Sequence, residues 1–86
     1  MEKIEYIKNA FIKLGYKEEK VNGETLYIKN NDYCKFSYVK DFHGYVIEIA
    51  DCLENANKNL FEDVDVIDEN IKVEEIETEL RKMILN

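Results

Sequence analysis

The sequence predicts an α+β domain: an antiparallel meander of three or four strands, an N-terminal helix and two C-terminal helices, the helices packed on one face. Three observations predict it. Apolar residues recur at helical spacing near both ends of the chain. Between those ends, apolar and polar residues alternate, as they do in half-buried strands. The alternating runs are separated by short turn signals rather than linkers, in a chain that has no proline and three glycines. Eighty-six residues with no repeat or low-complexity tract read as one domain over residues 1–86.

Ile4, Ile7, Phe11 and Leu14 fall on one helical face, with Lys3, Lys8 and Lys13 off it. Glu2 and Glu5 occupy the first turn, where the helix dipole favours anions. Gly15 follows the last apolar position, as a left-handed C-terminal cap should, so the first helix spans roughly 2–14. Asn22-Gly23 then predicts a tight hairpin joining a polar edge segment, Tyr16–Val21, to Glu24–Lys29. After Asn30-Asn31-Asp32, the run Tyr33–Val39 sets Cys34, Phe36 and Tyr38 against Lys35 and Ser37. A turn at Asp41-Phe42-His43-Gly44 leads into Tyr45–Ala50, where Tyr45, Ile47 and Ile49 oppose Val46 and Glu48.

Asp51 and Glu54 have the D-x-x-E spacing of a capping box. Leu53, Ala56, Leu60 and Phe61 give the following helix a stripe of about three turns. Glu62–Asp68 reads as a linker, with room for a short strand at Val64–Ile67. Val73, Ile76, Leu80, Met83 and Ile84 form the core stripe of a last helix over roughly 71–85. Arg81 and Lys82 stand near its C-terminus, the side the dipole favours for cations.

Charge divides this chain in two. Residues 1–43 carry eight Lys and seven Asp/Glu; residues 44–86 carry four Lys/Arg and twelve Asp/Glu. Nets of +1 and −8 make up the total of −7. Nine of those twelve acids lie between Glu62 and Glu79, against the single Lys72. A net negative charge disfavours nucleic-acid phosphates and anionic membranes as direct ligands. It favours a basic protein. The candidate contact surface is Glu62, Asp63, Asp65, Asp68, Glu69, Glu74, Glu75 and Glu77, with Glu79 beside them. Charge runs on helices commonly serve as solvated faces. The functional reading is a surface complementary to the basic groove of a nucleic-acid-handling enzyme, with Tyr38 or Tyr45 as anchors.

Catalytic and metal chemistry find little to use. His43 is the one histidine and Ser37 the one serine. Cys34, expected opposite Ala50, lies far from His43, and a nucleophile needs its base within hydrogen-bond reach. Cys34 and Cys52 would approach each other in that register, but with His43 they are too few for a structural zinc site. Asp63, Asp65 and Asp68 lack the spacing and the glycine of an EF-hand loop. No cofactor or metal is expected, and the chain reads as non-enzymatic. Two cysteines without CxxC spacing, no apolar leader and no apolar run near 18 residues fit a cytoplasmic protein.

Tyr45–Asp51, Leu53–Asp65 and the Glu-rich final helix together resemble small acidic immunity proteins of polymorphic-toxin systems in Firmicutes. The resemblance covers about the second half of the chain. It implies that the protein neutralises a cognate toxin by binding it through acidic residues. Small acidic anti-CRISPR proteins share the element order and the charge logic, so inhibition of a CRISPR nuclease stands as the alternative. A rival of another class is a self-associating structural module, a homodimer formed through an edge strand or a tyrosine face.

Overall fold

The first helix, α1 (Lys3–Lys13), buries Ile7, Ala10 and Phe11 and stops where the sequence places its glycine. Gly15 has φ +96°, its N–H donates to Ile12 O, and the Tyr16 N–H donates to Phe11 O, both at 3.0 Å. These two bonds close a Schellman motif, and its hydrophobic contact is the Tyr16 ring set edge-on to Phe11 at 5.4 Å. Ile4, expected on the buried stripe, is instead exposed at the start of the helix. The structure, a computed structural model, describes residues 2–85.

Five strands follow in a single antiparallel sheet: β1 (Lys17–Val21), β2 (Glu24–Lys29), β3 (Asp32–Val39), β4 (Gly44–Ala50) and β5 (Glu62–Asp68). They lie in chain order, so β1 and β5 are its edges. Asn22 and Gly23 both have positive φ, 53° and 82°, the pair a type I′ hairpin turn requires. A 3-10 turn (Lys40–Phe42) and the left-handed His43 join β3 to β4. The expectation of three or four strands is corrected to five, because Glu62–Asp68 is a full strand and not a linker. Its alternation is hidden by a bulge: Ile47 pairs with Asp65 and Glu48 with Asp63, which leaves Val64 as the extra residue.

The two faces of the sheet are covered unequally. Tyr27, Cys34, Phe36, Tyr45, Ile47, Ile49 and Ile67 face α1 and α3 (Ile76–Ile84), meeting Ile7, Phe11, Ile76 and Leu80. The Phe11 ring stacks on Tyr27 at 4.7 Å and lies 6.0 Å from Phe36. On the opposite face, Leu26 and Ala50 pack under Ala56 of α2 (Leu53–Asn57). The helices therefore do not all share one face. Nor does α2 run three turns. Asn59, at φ 59°, ends it, with the Leu60 N–H donating to Asn55 O at 2.8 Å, and Leu60 is left exposed.

Two further expectations change at helix starts. Asp51 does not cap α2; its carboxylate accepts from Asn55 Nδ2 at 2.9 Å, and Cys52 holds the N-cap position without a side-chain bond. The stretch expected to open the last helix forms a separate 3-10 turn (Val73–Glu75), and Val73 is 38% exposed rather than core. No helix among the described residues is long and apolar enough to cross a membrane.

Candidate functional site

The acidic residues divide by what surrounds them. Glu62, Asp63, Asp65 and Asp68 stand exposed along β5, the outermost strand. At about 3.4 Å per residue they span about 20 Å. Glu74 and Glu75 are exposed on the 3-10 turn that leads into α3. None of these six has a cation within 4 Å among the described residues. Asp65 Oδ1 accepts from the Val66 N–H at 2.8 Å and Asp68 Oδ1 from the Asn70 N–H at 2.7 Å, so two of them brace the local backbone.

The other acids of the predicted surface, Glu69, Glu77 and Glu79, are engaged. Glu77 stands between Lys13 at 4.0 Å and Arg81 at 3.4 Å, and Glu79 lies 3.5 Å from Lys82. Glu69 is the hub of a small network. Its carboxylate accepts from the Tyr38 hydroxyl at 2.5 Å and lies 3.8 Å from His43 Nδ1; its main-chain carbonyl accepts from Lys3 Nζ. That hydrogen bond pushes the Tyr38 phenol pKa up. Elsewhere Lys8, Lys35 and Lys58 pair with Glu18, Glu24 and Glu54. The chain thus brings these cations to acids outside β5 and leaves β5 unbalanced.

Packing of α3 beside β5 forms a groove of about 450 Å³. Val66, Ile71 and Met83 line its apolar part, and Asp68, Glu75 and Glu79 its acidic part. Glu74 and Glu77 lie elsewhere, with Lys13 in a groove of about 580 Å³ between α1 and the 3-10 turn. Glu62 sits at the far end of β5, near Ala50 and Leu60. The predicted surface is therefore several patches rather than one face: Asp68, Glu75 and Glu79 meet in the β5–α3 groove, and Glu74 and Glu77 in the groove beside α1.

The residues considered for chemistry are held apart. Cys34 pairs with Ile49, and Tyr33 with Ala50, one residue away from the expected register. Five pairs separate Cys34 from the Val39–Gly44 end where His43 sits, about 17 Å along the strand. Cys34 is buried on the α1 side, while Cys52 caps α2 on the other; the register that would have brought them together does not form, and both thiols are free. Burial, then the charge of Asp32, pushes the Cys34 thiol up to about 12. Ser37 is exposed opposite Val46. Asp63, Asp65 and Asp68 are strung along an extended strand, and no three His, Cys, Asp or Glu among the described residues converge as a metal site would require.

Sequence reasoning missed two features. One is the Tyr38–Glu69–His43 network, which depends on β5 returning beside the β3–β4 turn: the Glu69 N–H donates to His43 O at 2.9 Å. The other is Phe42, which is 58% exposed beside it. The turn signal around Phe42 was legible, but not the exposure of its ring. No protein-family model matches the chain, and neither a curated protein nor a solved structure matches it significantly.

Proposed function

We propose that this chain is a small non-enzymatic inhibitor that binds and neutralises a basic protein, in the manner of an immunity protein against a nucleic-acid-handling toxin. The observation that supports this is the uncompensated acidic edge: Glu62, Asp63, Asp65 and Asp68 on β5, with Glu75 beside Asp68 in the adjoining groove and Glu74 on the next patch, none of them ion-paired among the described residues. Concentrating like charge costs self-repulsion. A basic partner would relieve that repulsion, and the field would speed its encounter. A CRISPR nuclease would satisfy the same chemistry, and the choice between the two partners lies with capture.

The test is affinity capture at low salt from the source organism, with the native chain and a fourfold variant (D65K, D68K, E74K and E75K) as baits. The native chain is expected to enrich a basic protein, and the variant to lose it by orders of magnitude in affinity while keeping its circular dichroism spectrum. Equal recovery by both baits would contradict the electrostatic account.

A second reading has its own observation. Phe42 and Tyr38, 58% and 44% exposed, offer an aromatic surface through which two copies could associate. Sedimentation at two salt concentrations separates the readings: a dimer insensitive to salt favours self-association.

A further inference from the structure

We infer that the partner docks by strand addition: an extended, Lys- or Arg-bearing segment pairs with the open edge of β5 and lays its cationic side chains over the β5–α3 groove. This rests on the acidic docking surface proposed above and specifies how it is used. β5 ends the sheet, so among the described residues its outer side has no neighbouring strand over the seven residues Glu62–Asp68. An edge of this kind presents backbone donors and acceptors to any strand that can approach, here with the Val66 N–H held by Asp65 Oδ1 at 2.8 Å and released when a strand pairs.

Charge decides which strand that is. A second copy pairing through its own β5 would set eight carboxylates against one another, four from each chain, and like charges opposed across strands are destabilising. A strand carrying cations meets the opposite field. The groove supplies the rest of the recognition. A lysine or arginine needs an apolar bed for its methylenes and an anionic end for its head. Val66, Ile71 and Met83 offer the first; Asp68 and Glu75, both without a cation partner among the described residues, offer the second. The opposite edge provides no such selection, because Lys17, Glu18, Glu19 and Lys20 cancel within β1.

The test uses the full chain, isotopically labelled, at low salt. Three synthetic probes are compared: a short peptide alternating Lys and Thr, the same peptide N-methylated at alternate backbone nitrogens, and a helix-forming peptide of Lys and Ala. Strand addition predicts slowed amide exchange in β5 with the first peptide, and shifts confined to β5, the groove and α3. N-methylation removes at least two strand hydrogen bonds and should weaken binding about tenfold. Equal binding by the N-methylated peptide, without protection in β5, overturns strand addition but leaves the acidic surface standing. Tighter binding by the helical peptide overturns it likewise, in favour of a helix in the groove. Failure of every cationic peptide to bind overturns both the strand addition and the acidic surface.

Discussion

β1 and β5 close the same sheet at opposite ends and carry their charge differently. β1 is almost wholly charged, yet neutral: Lys17 and Lys20 flank Glu18 and Glu19. Glu18 is further tied to the body of the protein, 3.3 Å from Lys8 Nζ and accepting from the Tyr27 hydroxyl. β5 carries four acids and no cation, and none of its acids reaches one among the described residues. Either arrangement discourages neutral strands from adding to the edge. Only the single-signed edge also attracts something in particular. The helices extend the contrast, for α1 lays Phe11 on the aromatic β2–β3 region, while α3 meets β5 through aliphatic residues.

The strongest way to break the comparison is to remove the aromatic packing on the β1 side. Phe11 is fully buried against Tyr16, Tyr27 and Phe36. Phe11→Ala should cost ~3–5 kcal/mol in urea denaturation, much of the stability of so small a domain. A loss under about 1 kcal/mol would show that the aromatic stack does not hold the sheet.

A smaller change should separate the edges. A Cβ on Gly44 would stand 2.4 Å from the Ile67 carbonyl oxygen and 2.7 Å from Val66 Cγ1. Gly44→Ala should cost ~1–3 kcal/mol through overpacking at the β4–β5 junction. Hydrogen exchange should quicken across β5 and change little in β1. Uniform acceleration would mean that β5 has no local stability of its own.

The most gradual expected effect is alkaline. Burial pushes Tyr16, Tyr27 and Cys34 up to about 12, Tyr27 also feeling the charge of Glu18. In the unfolded chain these groups lose their protons first, so stability is complete below pH 9 and falls progressively as pH rises towards 12. The urea midpoint should drop between these limits, and amides in β1–β3 should lose protection before those in β5. A flat profile, or loss beginning in β5, would contradict the assignment of these groups to the β1 side of the core.

Much of this fold was legible because local signals and packing agree. Gly15, Asn22-Gly23 and the alternation of Phe36 and Ile47 each named their own structure. β5 is hard to read from sequence because a bulge at Val64 breaks its period and its acids mask its strand character. α2 was overextended because Leu60 and Phe61 continue a helical spacing past Asn59, whose left-handed backbone ends the helix. At the candidate site, the identity of the acids could be read from the sequence, but not their partition. Pairing of Glu77 with Lys13, or of Glu69 with Tyr38, depends on contacts between distant segments.

The most direct test places one identical charge change on each edge. Asp65 and Glu19 are both exposed strand acids without an ion pair among the described residues. Asp65→Lys and Glu19→Lys alter the net charge equally, so calorimetric binding of the Lys-Thr peptide at low salt isolates position from total charge. The account predicts about tenfold weaker binding for Asp65→Lys and a change within about twofold for Glu19→Lys. Equal losses in the two variants would contradict it, for then only net charge, and not the β5 edge, attracts the partner.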